Sequence, residues 1–126
     1  MYIDTDIVYA LIKFEDVHKE TAKRILETPE KKYSSIVTII ELELVLKKEM
    51  GDGISKDVLK ILDDLPHKIA IKEVDEKTIS LSIDIRKRYN LGIFDSIHAA
   101  CALLNDKRIG STDGSYDRIK ELTRIF

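Results

Sequence analysis

Apolar residues along this chain fall into short runs separated by helical patterns. Met1-Tyr2-Ile3 reads as a strand, and Ile7, Val8, Leu11 and Ile12 then share one helical face. Asp16 is placed to cap a second helix with Val17, Ile25 and Leu26 facing inward, and Thr28-Pro29-Glu30 ends it, because the residue before a proline avoids helical angles. Tyr33 to Val37 reads as a second strand. Thr38-Ile39-Ile40-Glu41 fits a capping box, followed by a helix carrying Leu42, Val45 and Leu46 to about Met50. Gly51-Asp52-Gly53 breaks that helix. Ser55 can cap the next, which carries Val58, Ile61, Leu62 and Leu65 and stops at Pro66.

Ile69 and Ile71, extending toward Glu73-Val74, form a third strand, and Asp75 can cap the next element. From Ile79 to Ile85 apolar and polar residues alternate as in a strand, but the length of the segment and the run Arg86-Lys87-Arg88-Tyr89 favour a helix. After the loop Asn90-Leu91-Gly92 comes a helix of small and apolar residues, with Asp95 at its mouth and Ile97, Ala100, Cys101 and Leu104 on one face. Ala99, Ala100 and Ala102 let neighbouring backbone come close, which predicts a central, buried helix. Lys107 to Ser111 reads as a fourth strand, Thr112-Asp113-Gly114 as a turn and Tyr116 to Leu122 as a last short helix. Strands separated by helices predict a three-layer α/β/α domain over residues 1–126, with a mainly parallel sheet of four to five strands.

At 126 residues the chain suits one domain. It contains no run of 18 apolar residues, so no membrane span is expected, and no basic leader with an apolar stretch opens it. The single cysteine, Cys101, excludes an internal disulfide and a cysteine zinc site and suits a reducing, cytoplasmic setting. Net charge is −2, but if four acids gather at a metal, 19 acids against 21 bases leave the rest at +2. Local contact with phosphates is thereby allowed.

The acids carry the candidate chemistry. Ligands of parallel sheets bind beyond the carboxyl ends of the strands. Asp4 follows the first strand, Glu41 the second, Asp113 the fourth, and Asp95 heads a helix running back along the sheet. Each acid also has a plain structural role open to it, as a cap or a turn residue. Gathered in one cleft, they repel unless a cation compensates or one takes a proton. Oxygen ligands without cysteine favour Mg²⁺ or Mn²⁺, which suit phosphodiester hydrolysis.

Ile3-Asp4-Thr5-Asp6, Thr38-Ile39-Ile40-Glu41-Leu42, Phe94-Asp95-Ser96-Ile97-His98-Ala99-Ala100 and Ser111-Thr112-Asp113 resemble, in order and over nearly the whole chain, the motif blocks of PIN-domain ribonucleases, in particular the small VapC-type toxins of toxin–antitoxin pairs. The resemblance implies a PIN-like fold and a metal-dependent endoribonuclease that leaves a 5′-phosphate and a 3′-hydroxyl. Its acidic tetrad falls on Asp4, Glu41, Asp95 and Asp113. Asp4, Asp95 and Asp113 would hold one or two metal ions, while Glu41 would bind through water or orient the attacking water. The family's hydroxyls fall on Thr5 and Thr112. Position 6, commonly Asn in the family, is Asp6 here, and Asp117 could replace or assist Asp113. A homodimer and an antitoxin partner that blocks the acids are implied as well.

Lys47, Lys48, Arg86, Lys87 and Arg88 could contact RNA phosphates, although a solvated face is the commoner meaning of such charge. His98, three residues after Asp95, reads as a hydrogen-bonded supporting or core residue, His18 and His67 as surface residues, and Cys101 as core. Two other readings stay open. Asp4-Thr5-Asp6 is similar to the Asp-x-Asp of haloacid dehalogenase-type phosphatases, although the threonine that family wants is Val8 here. A non-catalytic PIN-like module binding RNA or protein is the second.

Overall fold

The computed structural model describes residues 1–51, 55–65 and 68–126. The expected break at Asp52-Gly53, the Ser55 side-chain cap, the stop at Pro66 and the surface position of His67 lie outside the described residues.

Five parallel strands form one sheet: β1 (Tyr2–Ile3), β2 (Lys32–Ser35), β3 (Ile69–Lys72), β4 (Arg108–Gly110) and β5 (Thr123–Ile125), in the order β3-β2-β1-β4-β5. Among the described residues six helices connect them: α1 (Thr5–Ile12), α2 (Lys19–Glu27), α3 (Ile36–Met50), α4 (Ser55–Asp63), α5 (Glu76–Tyr89) and α6 (Ile93–Leu103), with a 3-10 turn at Gly114–Arg118. The first strand is the central one. Tyr2 is in register with Tyr33 on one side and Ile109 on the other, and Ile3 with Gly110.

Alternation along β1 divides the core in two. Tyr2 joins Tyr33, Ile85, Ile97, Ile109, Tyr116 and the small residues of α6 on one face. Met1 and Ile3 join Ile7, Val8, Ala22, Ile25, Leu26, Leu42 and Leu46 on the other. The three-layer α/β/α expectation is met. Ser96 through Ala102 of α6 are all buried, as the small-residue pattern implies. The segment with period-two alternation is the helix α5, started by Asp75, whose side chain accepts from the Thr78 N–H. Ile79 and Ile83 stay exposed there, while Ile85 enters the core.

Several local expectations need correction. The strand expected to reach Val37 stops at Ser35, and α3 begins at Ile36, so Thr38 is not its cap. The N-cap is Ser35, and it makes no side-chain capping bond because its hydroxyl is turned to the Tyr2 phenol at 2.8 Å. Asp16 does not cap α2. That helix starts at Lys19, and Asp16 holds the turn ahead of it by accepting from the His18 N–H at 2.8 Å. Val17, left in that turn, is 92% exposed. Leu104 ends α6 and is exposed. The last expected helix is a 3-10 turn, beyond which Thr123–Ile125 pairs with β4 as an edge strand.

At Gly110 a side chain has no room. A Cβ there would lie 2.9 Å from Ile25 Cγ2, with Ile3 and Met1 close behind. Gly110→Ala is therefore expected to destabilise the fold by about 1–3 kcal/mol through overpacking. An unchanged urea midpoint in the purified variant would contradict that.

Candidate active site

From β1 the chain moves outward to β2 and β3, then returns to place β4 on the other side of β1. Strand order reverses beside β1, and the carboxyl ends of β1 and β4 open into a crevice, the usual ligand position of such sheets. A cleft there is lined by Asp4, Thr5, Asp6, Tyr9, Glu41, Val45, Asp95 and Asp113.

Asp4 sits where β1 turns into α1. It caps that helix, Oδ1 accepting from the Thr5 N–H at 2.7 Å, so the capping role and a place in the cleft coexist. Its Oδ2 lies 2.7 Å from the Ser111 hydroxyl, just past β4. Asp6 crosses the same gap: its Oδ2 accepts from the Thr112 N–H at 2.7 Å and the Thr112 hydroxyl at 2.5 Å. The Ser111 hydroxyl also stands 3.2 Å from this oxygen, and its single proton serves one acid at a time. The start of α1 is thus tied to the end of β4. Asp6 Oδ1 is buried and has no partner among the described residues.

Glu41 arrives from the second turn of α3. Its Oε2 accepts from the Thr5 hydroxyl at 2.5 Å and from His98 Nε2 at 2.8 Å. His98 is fully buried on α6, its Nδ1 2.7 Å from the Tyr2 hydroxyl, which also stands 3.3 Å from that of Thr38. Asp95 occupies the first turn of α6, whose N-cap is Gly92. Asp113 caps the 3-10 turn through the Ser115 N–H at 2.8 Å.

The cleft therefore brings together Asp4, Asp6, Glu41, Asp95 and Asp113. Asp117 does not line it; its carboxylate is held by Arg124 through bonds of 2.9 and 2.8 Å. Lys47, Lys48, Arg86 and Arg88 do not line it either. Lys47 and Lys48 sit in the last turn of α3, Arg86 Nε bonds the Ser96 hydroxyl at 3.2 Å, and Arg88 lies over the Tyr89 ring. Sequence reasoning missed Ser111 and Tyr2. Ser111 stands inside a motif already singled out for its neighbours. Tyr2 carried no signal beyond its strand position.

Charge crowding shows in the acids. Burial pushes the Asp4 carboxyl up to about 7; Asp6 adds to the rise and His98 opposes it. Burial, then the carboxylates of Asp113, Glu41 and Asp6, hold Asp95 above its usual range. Glu41 is also penalised by burial, yet its bonds from His98 and Thr5 win and lower it. Burial alone would lower His98, but the Glu41 bond and the nearby carboxylates of Asp4 and Asp95 raise it.

Asp4, Glu41 and His98 could each offer a metal-ligand atom within 4.8 Å of the others. His98 is poorly suited to that use. Its Nε2 faces Glu41 and, at 3.7 Å, Asp4 Oδ1, so this nitrogen carries a proton and has no lone pair to give. Asp6, Asp95 and Asp113 line the same cleft with oxygens of the kind a hard divalent cation takes, Asp6 Oδ1 being without a partner, although among the described residues no three carboxylates bring ligand atoms within 4.8 Å of one another.

The family model described as the PIN domain matches residues 1–122. The chain belongs to the PIN-domain family. No curated protein sequence matches it. Among solved structures, this PIN domain is similar to a toxin–antitoxin complex from Klebsiella pneumoniae, 20% identical over 99% of this chain and 95% of that one, with a TM-score of 0.71. It is also similar to Mycobacterium tuberculosis VapC20, a sarcin-ricin loop cleaving toxin, 18% identical over 93% and 92%, TM-score 0.76. A third is VapBC2 from Rickettsia felis bound to a DNA fragment from its promoter, 17% identical over 98% and 96%, TM-score 0.71. At such identities these structures share the fold with the PIN domain described here.

Without metal, Asp4 keeps its proton to about pH 7 when folded and loses it near pH 4 when unfolded. The folded state thus binds more protons between those values, so the contribution of Asp4 to stability falls as pH rises. His98 acts in the same sense: its raised folded value stabilises below about pH 6.5 and that gain is lost as pH climbs through the folded value. In EDTA, Tm is expected to decline from pH 5 to pH 8, less steeply in Asp4→Asn. A Tm that rises over this range would contradict the buried acid cluster.

Proposed function

We propose that this PIN domain is a divalent-metal-dependent endoribonuclease and the toxin of a toxin–antitoxin pair. The observation that carries the reading is the meeting of Asp4, Glu41, Asp95 and Asp113, from four separate segments, in one cleft at the switch point of the sheet. Family membership supports the nuclease class, and similar folds described as toxins and toxin–antitoxin complexes support the cellular role. The family assignment leaves the haloacid dehalogenase alternative without support.

Asp4, Asp95 and Asp113 would hold Mg²⁺ or Mn²⁺. A bound divalent ion supplies polarisation of a phosphoryl oxygen and a water acidic enough to act as nucleophile near neutral pH. Glu41 would bind the ion through a water or orient the attacking water, its position set by Thr5 and His98. Thr5 and Thr112 are committed to Glu41 and Asp6, so their hydroxyls serve by holding acids in place. Asp6, where the family commonly has Asn, adds a charge next to Asp4 and keeps one oxygen free of partners among the described residues. Asp113 is taken as the fourth acid, a choice supported by the pairing of Asp117 with Arg124.

RNA is the substrate. A homodimer and a cognate antitoxin that places a basic side chain among the acids go with the toxin reading, as does a cytoplasmic location. Among the described residues no helix is long and apolar enough to cross a membrane.

The test is cleavage of a pool of RNAs with Mg²⁺ or Mn²⁺, read at nucleotide resolution. Asp4→Asn and Asp95→Asn are expected to reduce cutting to background while circular dichroism stays native. Asp113→Asn is expected to cost far more activity than Asp117→Asn. Undiminished cutting by either of the first two variants would overturn the assignment. RNA binding that survives EDTA with no cleavage would favour a non-catalytic module.

A further inference from the structure

We propose that Tyr2 and His98 form a buried relay that positions Glu41, making both of them positioning residues that touch neither RNA nor metal. The inference rests on the nuclease reading above. The chain of groups is continuous. The Ser35 hydroxyl is 2.8 Å from the Tyr2 hydroxyl, the Tyr2 hydroxyl 2.7 Å from His98 Nδ1, and His98 Nε2 2.8 Å from Glu41 Oε2.

Three features separate this relay from an ordinary satisfied histidine. First, it lies where apolar residues would pack more simply. Tyr2 and His98 are both 0% exposed, and the next residues on α6 are Ala99, Ala100, Cys101 and Ala102. A polar network in such a layer is costly unless every member is paired. Second, the ring is held from two sides. Tyr2 occupies Nδ1 and its own ring lies 5.5 Å from the imidazole, so Nε2 can face only the mouth of the cleft. Third, Thr5 and His98 both bond the same Glu41 oxygen, Oε2. The other oxygen has no partner among the described residues and stays available to the cleft. A glutamate has three side-chain torsions, and two donors on one oxygen fix them before substrate arrives.

Tyr2→Phe keeps the ring, which packs edge-on against Tyr33 at 5.7 Å, and removes only the hydroxyl. In His98→Gln an amide nitrogen can stand where Nε2 stood. In His98→Asn the amide reaches toward Tyr2 but falls short of Glu41. Each variant is checked for native circular dichroism and Tm, then measured for steady-state RNA cleavage and for Mn²⁺ affinity by calorimetry.

Tyr2→Phe is expected to lower kcat about tenfold and to leave KM for RNA unchanged. His98→Asn is expected to lower kcat about 100-fold and weaken Mn²⁺ binding about tenfold, as loss of a group that orients a metal-site carboxylate does. His98→Gln should recover most of both, and adding Tyr2→Phe to it should cost nothing further, because the hydroxyl acts through the imidazole. Equal impairment of the Gln and Asn variants would overturn the relay, as would a Tyr2→Phe effect that multiplies in the Gln background or one confined to KM. If the wild-type protein cuts no RNA, the nuclease reading fails on its own. The Mn²⁺ affinities then decide the relay, and equal values for wild type, Gln and Asn would overturn it.

Discussion

Repulsion between carboxylates governs the architecture around the cleft. Five acids line one partly dry space, and burial holds Asp4 and Asp95 above their ordinary values. Such a cluster survives in a folded chain only when every negative oxygen is answered by a donor or a proton, or by an ion. The chain answers part of this itself. Thr5 N–H and the Ser111 hydroxyl serve Asp4, Thr112 serves Asp6, and Thr5 and His98 serve Glu41. Among the described residues, Asp6 Oδ1 is the buried carboxylate oxygen left without a partner.

These donors are available because of how the sheet is wired. With β1 at the centre, Asp4 emerges between two neighbouring strands, and the end of β4 places Ser111 and Thr112 against the first turn of α1. On the opposite face α6 carries Ala99, Ala100 and Ala102, small enough to bring His98 directly beneath Tyr2 and Glu41. The same packing that fills the core therefore sets the distance between an acid and its support.

Much of this was legible from residue patterns. Helical spacing and small side chains marked α6 as buried, Asp75 marked the start of α5, and four acids at strand ends marked the cleft. What stayed hidden depended on tertiary partners. Thr38-Ile39-Ile40-Glu41 has the letters of a capping box, but Glu41 is drawn off by His98 and Thr5, and Thr38 is buried against the Ser34 hydroxyl at 2.6 Å. Val17 looked like a core residue only while its helix was assumed to start two residues earlier than it does. The edge strand β5 is three residues long, and nothing in Thr-Arg-Ile distinguishes it until β4 lies beside it. Ser111 bridges two acids through a contact spanning more than a hundred residues, beyond any local pattern.

That same separation governs when the site can exist. Asp4 lies far along the chain from what completes its surroundings: the second strand to pair with β1 and the hydroxyl that holds Asp4 come only at positions 108 to 111, with Asp113 just after. Contacts so distant along the polymer form late, since the intervening loop must close first. A nascent chain short of β4 has a central strand with one side unpaired and an incomplete set of acids. The cleft therefore exists only once the chain between Asp4 and Asp113 has closed on itself.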